Sequence, residues 1–168
     1  MAVKTIEQLT ALVGSSVADG DIFEVEIDSG SGFVTRKVTG LGLLYSQRQR
    51  VVIPISSLTD DATVATSDNK IRDINYGMKV LSVGAFCTVA PTGSTASIQI
   101  QAGGADILST AITIDSGEKT SATAVTPPVI STSLIAADTE LTFDIDQVGS
   151  STAGKGYYVY IEYKLRKV

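Results

Sequence analysis

From about residue 78 onward the sequence alternates apolar and polar residues with a period of two, which is the pattern of a β-strand with one buried face. The clearest example is the segment 78–90, in which apolar residues occupy the odd positions Leu81, Val83, Ala85, Cys87 and Val89. The chain also contains 17 Val, 16 Ile and 19 Thr among 168 residues, and β-branched side chains favour strands. About eight short strands separated by turn sequences therefore predict an all-β fold, an antiparallel β-sandwich or jelly roll.

Further strands with this alternation are predicted at 96–101, 112–114, 141–146 and 157–165. Gly103 and Gly104 stand where a two-residue hairpin loop would join the first of these strands to the next apolar pair. In the last strand the alternation separates two faces. One carries Tyr157, Val159, Ile161 and Tyr163, and the other carries Tyr158, Tyr160, Glu162 and Lys164. Both faces therefore bear aromatic area.

The first segment predicts the only helix of the chain. Ile6, Leu9 and Leu12 recur at three-residue spacing within residues 4–13, and Gly14 follows as a stop signal. This spacing gives the short N-terminal helix one apolar stripe.

A β-hairpin is predicted after the helix. Phe23, Val25 and Ile27 alternate with two glutamates, a turn sequence occupies 28–32, and a second strand follows. A helix plus a hairpin is too small for a good core of its own, so we expect this segment to dock on a partner or on the second unit. The candidate docking residues are Ile6, Leu9, Leu12, Phe23 and Val25.

We place the domain boundary near residue 60, with an anchoring segment at 1–60 and the β-sandwich domain at 61–168. Pro54 lies within the apolar run 51–55. Since proline cannot donate to a strand ladder, this run is expected to form an edge strand or a bulge rather than a central strand.

The chain has no histidine and a single cysteine, Cys87. This composition excludes Ser-His-Asp and Cys-His catalysis, His-bearing zinc sites and any intramolecular disulfide. We therefore expect no enzyme activity, no catalytic residue, no cofactor and no metal. Cys87 itself falls on the apolar face of its strand, where a buried and unreactive thiol is expected.

The formal net charge of −5 is the wrong sign for binding phosphate backbones, so nucleic acid is not an expected partner. No stretch approaches the roughly 20 apolar residues of a membrane-spanning helix, and no apolar run of a signal peptide follows Lys4. Synthesis in a reducing cytoplasm without membrane insertion is the expectation from these patterns.

Two Asp-Ser-Gly triplets, at 28–30 and 115–117, could supply the paired carboxylates of an aspartic protease. The same triplet is also what a hairpin turn looks like, with Asp bonding its own backbone and Gly taking a positive φ. We favour the turns, because a two-lobed protease would need about twice this length and no internal repeat relates two lobes.

Two further motifs have ordinary explanations. Asp144 and Asp146 could bind Ca²⁺ from one strand face, but they lack a third oxygen ligand and the distal Glu of a calcium loop, so a solvated face is expected. The sequence at 154–156, Gly-Lys-Gly, lacks the spacing of a phosphate-binding loop and is expected to be a flexible turn.

The tyrosines of the last strand form the one aromatic cluster of the sequence. They are either core plus scattered surface residues or, for the polar face, a protein interface or a saccharide-stacking platform, since tyrosine offers a large contact area at low entropic cost. Tyr158 and Tyr160 are the candidate contact residues for this second interpretation.

Residues 76–165 resemble a module of structural proteins from tailed bacteriophages. The resemblance rests on the sequences VAPTGS (89–94), ILST (107–110), TIDSGEKTS (113–121), PPVI (127–130) and DIDQVGSSTAGKG (144–156). The segments 5–10, 17–25 and 37–39 are similar to the short anchoring pieces that such proteins place before the displayed domain.

The resemblance implies a jelly-roll β-sandwich, usually trimeric, that is displayed on the virion as a head fibre, a capsid decoration or a tail-fibre domain. Two functions stay open. One is structural, with the homotrimer attached to the major capsid protein or another virion protein. The other is a tail-fibre or receptor-binding protein that holds a host surface glycan, although a fibre generally needs a shaft and the sequence has no heptad or collagen-like repeat.

Overall fold

The computed structural model of the chain describes residues 22–28, 33–39, 47–71 and 76–166. The chain divides into two compact units, Met1–Gln47 and Arg48–Val168. The helix predicted at 4–13 lies outside the described residues, and so do its candidate docking residues Ile6, Leu9 and Leu12.

The N-terminal unit contains the predicted hairpin. Strand β1 (Ile22–Asp28) pairs antiparallel with β2 (Phe33–Thr39), in one continuous register from Ile22 opposite Thr39 to Asp28 opposite Phe33. The other two candidate docking residues, Phe23 and Val25, are both on β1.

The C-terminal unit is built from eleven described strands and one short 3₁₀ turn, Ser121–Thr123. The strands are β3 (Gln49–Pro54), β4 (Ala65–Ile71), β5 (Gly77–Phe86), β6 (Ala96–Ala102), β7 (Ala105–Asp106), β8 (Leu108–Thr110), β9 (Ile112–Ile114), β10 (Val129–Ile130), β11 (Leu134–Ile135), β12 (Leu141–Gln147) and β13 (Tyr158–Arg166). The predicted all-β, antiparallel class is confirmed for the part of the chain that the structure describes. Within that part there is no helix long and apolar enough to cross a membrane.

These strands form two main sheets and a small ribbon. One sheet has the order β11-β5-β13-β3, and the other has the order β4-β12-β6, with β7 and β9 both pairing with the remaining side of β6. Strands β8 and β10 pair as a separate ribbon. Every pairing is antiparallel, and most neighbours in a sheet are far apart in sequence.

Both sheets contribute side chains to one hydrophobic core. From β6 and β12 the core receives Ile98, Ile100 and Phe143, and from β13 it receives Val159 and Ile161, all of them at most 1% exposed. Burial of a side chain of this size contributes about 1.5–3 kcal/mol, so this core is the main source of stability in the unit. The alternation predicted for β6 and β13 is confirmed.

Strand β5 departs from its predicted alternation at Leu81. Opposite β13, Ser82 pairs with Glu162 and Val80 pairs with Tyr163, so Leu81 is an extra residue, a β-bulge. The bulge exchanges the two faces of the strand. Even-numbered residues such as Val80 are therefore buried before it, and odd-numbered residues such as Val83 are buried after it.

The segment Gln49–Pro54 belongs to the C-terminal unit, and the boundary placed near residue 60 falls inside that unit. As β3, this segment pairs with β13 on one side, and no other strand of the described residues pairs with its outer side. The edge-strand prediction made from Pro54 is thereby confirmed.

The hairpin loop predicted at Gly103–Gly104 is also confirmed. It joins β6 to β7, and both glycines have a positive φ, 59° and 81°, as a type I′ turn requires.

Candidate interaction surface on the four-stranded sheet

Three rows of side chains lie on the face of the four-stranded sheet that points away from the core. The register of β3, β13 and β5 sets each row. The rows are Arg50, Glu162 and Ser82; Val52, Tyr160 and Gly84; and Pro54, Tyr158 and Phe86. We call Arg50, Val52, Pro54, Phe86, Tyr158 and Tyr160 the aromatic surface.

Tyr158 and Phe86 stack on each other in the last row. Their ring centroids are 4.9 Å apart and their planes differ by 8°, which is an offset-stacked pair. Phe86 is still 37% exposed, so the stack leaves apolar area open to solvent. Each ring restricts the rotamers of the other, and little side-chain entropy remains to be lost on binding.

The ring of Tyr160 has two close neighbours, Gly84 and Arg50. It lies over Gly84, where an added Cβ would collide with the tyrosine hydroxyl and Cζ. The guanidinium carbon of Arg50 is 3.9 Å from the ring centroid, a cation–π contact. On the ring face that Arg50 covers, a sugar could stack only by displacing Arg50, so this face is better suited to a protein contact than to saccharide stacking.

The polar rim of the surface is formed by Glu162. Its Oε2 atom accepts a hydrogen bond from Arg48 at 3.2 Å and another from Ser82 at 3.1 Å. Arg50 makes no hydrogen bond or ion pair within the part of the chain that the structure describes, although its side chain is fixed on Tyr160.

Tyr157 lies immediately before β13 and has a structural role. It is completely buried, its hydroxyl donates to the Ala153 carbonyl at 2.7 Å, and its backbone amide donates to Ser56 Oγ at 2.8 Å. Burial, and secondarily the nearby Cys87, raise the pKa of this phenol well above its usual range. The neutral hydroxyl is therefore retained as a donor.

Cys87 is buried as predicted. Its Sγ atom is 3.9 Å from the Glu118 carbonyl. Burial raises the pKa of the thiol, and the positive charge of Lys119 opposes this increase without cancelling it. A raised pKa lowers the thiolate fraction, which is typical of an unreactive cysteine.

The Asp-Ser-Gly sequence at 115–117 is a turn, as we favoured. Gly117 has a φ of 86°, and its amide donates to the Pro91 carbonyl at 2.7 Å. The side-chain carboxylate of Asp115 accepts a hydrogen bond from the backbone amide of Val125 at 2.9 Å. Of the other triplet, Asp28 is the last residue of β1 and the following two residues lie outside the described ranges.

Asp144 is not on a solvated face, and that expectation was wrong for this residue. Its strand β12 lies between β4 and β6, and the side chain is only 5% exposed. Asp146 is exposed, and its pKa is raised by partial burial first and then by the negative charges of Asp144 and Asp106. Among the described residues, no group of three or more His, Cys, Asp or Glu side chains could hold a metal ion.

The Gly-Lys-Gly turn is tied to the loop before β4. The Gly154 carbonyl accepts from the Ala62 amide at 2.9 Å, and the Gly156 amide donates to the Ser57 carbonyl at 2.8 Å. Lys155 Nζ donates to the Thr59 carbonyl at 2.9 Å. These bonds hold in place a segment that was expected to be a flexible turn.

Comparisons with protein-family models, with curated proteins and with solved structures found no match to this chain. Tyr158 and Tyr160, the two tyrosines singled out from the sequence, are neighbours on one surface. Sequence reasoning missed Arg50, Phe86 and Gly84, which complete that surface, because only the pairing of β13 with β3 and β5 brings them together.

Proposed function

We propose that the chain is a non-enzymatic structural protein of a tailed-bacteriophage virion, a capsid-attached decoration protein or head fibre that displays a homotrimeric β-sandwich of jelly-roll type. The sequence resemblance over residues 76–165 motivates this proposal. Its support in the structure is the antiparallel, all-β C-terminal unit, in which two sheets share one core.

The observation that carries the proposal is the aromatic surface. A single exposed apolar residue on a protein surface needs no explanation, but here Val52 is 47% exposed and lies directly opposite Tyr160, and the neighbouring row contains Tyr158 and Phe86. Aromatic and arginine side chains are the residues enriched at protein interfaces. A surface of this composition fits a protein that works by packing against other proteins of a particle.

In this proposal the N-terminal segment is the anchor. Ile6, Leu9, Leu12, Phe23 and Val25 would dock on the major capsid protein or another virion protein, while the C-terminal unit points outward. The test is to purify phage particles by density gradient and identify their proteins by mass spectrometry. We expect the chain to remain with the particles through repeated banding, and its consistent loss into the soluble fraction would contradict the proposal.

A second candidate is a receptor-binding protein that holds a host saccharide. It is favoured by one observation, the exposed Phe86 ring stacked on Tyr158. A glycan array with the wild-type chain and with Phe86→Ala tests it directly. Binding that is lost in the variant would support this candidate, and absence of binding would favour the structural role.

A further inference from the structure

The outer edge of β3 presents backbone groups that nothing in the described structure uses. The Ile55 amide donates to the Tyr157 carbonyl at 2.9 Å, so the backbone groups of Ile55 point toward β13. In an antiparallel strand the backbone amides and carbonyls of successive residues point alternately toward one neighbouring strand and away from it. The amides and carbonyls of Arg50 and Val52 therefore point away from β13, in the plane of the sheet and beyond its edge. Within the described residues neither amide has a partner on that side.

Pro54 occupies the third outward position of the same edge. It has no amide to offer, which explains how this proline is tolerated in β3. With respect to the described residues, the edge therefore offers two amide donors, at Arg50 and Val52, and three carbonyl acceptors.

The guanidinium of Arg50 adds a charged group beside this edge. It is held 3.9 Å above the Tyr160 ring and, within the described residues, has no carboxylate partner, whereas Arg48 is paired with Glu162. A planar guanidinium with free donors matches a carboxylate in a two-bond geometry. Because stacking already fixes the side chain, binding costs less entropy than for a free arginine.

The other side of β3 shows which pattern suits this strand. There, β13 places Tyr158 opposite Pro54, Tyr160 opposite Val52 and Glu162 opposite Arg50. Directly opposed side chains of antiparallel strands are in contact distance, so the order apolar, apolar, acidic at every second residue complements β3.

We propose that β3 binds an extended segment of a partner protein as an added antiparallel strand, with the pattern apolar-x-apolar-x-acidic. The two apolar residues lie opposite Pro54 and Val52, and the carboxylate binds Arg50. Main-chain hydrogen bonds supply affinity and the alternate side chains supply specificity. This inference goes beyond the virion proposal and does not depend on it.

The test uses the full chain and a fluorescently labelled peptide of sequence Thr-Tyr-Thr-Tyr-Thr-Glu-Thr, with binding followed by anisotropy and by hydrogen exchange of the Arg50 and Val52 amides. We expect a Kd on the order of 10⁻⁴ M and slower exchange at both amides. Replacing the peptide Glu by Gln should weaken binding about tenfold, because a hydrogen bond to a charged group is lost.

Two variants of the chain and two matched controls locate the site. Arg50→Gln should reduce the affinity for the Glu peptide to that of the Gln peptide, and Arg48→Gln should leave it unchanged. Val52→Pro removes an outward amide and should abolish binding of both peptides, while Val52→Thr keeps that amide and should retain binding of both peptides, with a reduced affinity because the apolar contact is weaker. Each variant is first checked for an unchanged circular dichroism spectrum.

Three results would overturn the proposal. Absence of binding at about 1 mM peptide would mean that Arg50 and Pro54 only protect the edge from strand pairing. Peptide binding that survives Val52→Pro would place the peptide elsewhere. Competition by N-acetylneuraminic acid, together with saccharide binding that is insensitive to Val52→Pro, would assign Arg50 to a sugar carboxylate instead.

Discussion

The substitution Tyr157→Phe removes one buried hydroxyl and changes almost nothing else. The ring stays in the core, but the Ala153 carbonyl loses the hydrogen bond that it accepts at 2.7 Å. This hydrogen bond is partly buried, and a typical intramolecular hydrogen bond contributes about 0.5–1.5 kcal/mol, so we expect a loss of about 1 kcal/mol in the free energy of unfolding. Urea denaturation near neutral pH, followed by far-UV circular dichroism, measures this loss.

The same variant carries a pH signature. Folding raises the pKa of the Tyr157 phenol above its ordinary value of 10.0. The contribution of the neutral phenol to the free energy of unfolding is therefore fully present below about pH 10. It is lost as the pH rises toward the folded-state pKa, because over that range the phenol ionises only in the unfolded chain. Wild type should lose about 1.4 kcal/mol per pH unit relative to the Phe variant, and the stability gap between them should close above pH 10.

Tyr163→Phe is the matched control, since Tyr163 is half-buried on β13, the strand that follows Tyr157, and its hydroxyl makes no hydrogen bond with the described residues. We expect it to change stability by less than about 0.5 kcal/mol. Two results would refute the reasoning: a loss for Tyr157→Phe no larger than that of the control, or stabilities of wild type and Tyr157→Phe that fall in parallel above pH 10.

Three further outcomes are expected. Gly84→Val should push the Tyr160 ring off the sheet and away from Arg50, which a change in tyrosine fluorescence and a modest loss of stability would report, and unchanged fluorescence would contradict it. Gly104→Ala should cost about 1–2 kcal/mol in urea denaturation, because its φ is 81° and no atom lies close enough to clash; no measurable loss would contradict this. Deleting residues 1–40 should abolish attachment to particles in a co-sedimentation assay while leaving a cooperatively unfolding β unit.

Much of the fold could be predicted because the sequence is locally consistent. Ile98 and Ile100 in β6, and Val159 and Ile161 in β13, alternate with polar residues over whole strands, and all four are buried. The turn at Gly103–Gly104 could be predicted because two consecutive glycines favour the positive φ angles that both residues adopt. Such features depend on neighbours along the chain, which a single sequence displays.

The remainder depends on contacts between distant segments. Leu81 became a bulge only because β5 pairs with β13 in a particular register, and Asp144 became buried only because β12 lies between two other strands. The aromatic surface shows the same limit. Alternation put Tyr158 and Tyr160 on one face, but Arg50 and Phe86 reach them through strand pairings across long stretches of sequence.

Homotrimer formation is a separate prediction that solution scattering can check. Light scattering of the purified chain at micromolar concentration should report three times the 17.5 kDa mass of one chain. A stable monomer would contradict the trimer, although the strand-binding site on β3 would be unaffected.

The most direct test of the virion proposal is to locate the chain on intact phage particles with a gold-labelled antibody raised against the C-terminal unit. The proposed structural role predicts gold distributed over the capsid surface, at positions that repeat from particle to particle. Label confined to the tail tip would favour the receptor-binding alternative. Particles that contain no bound label, in a preparation where the antibody recognises the purified chain, would contradict the virion proposal altogether.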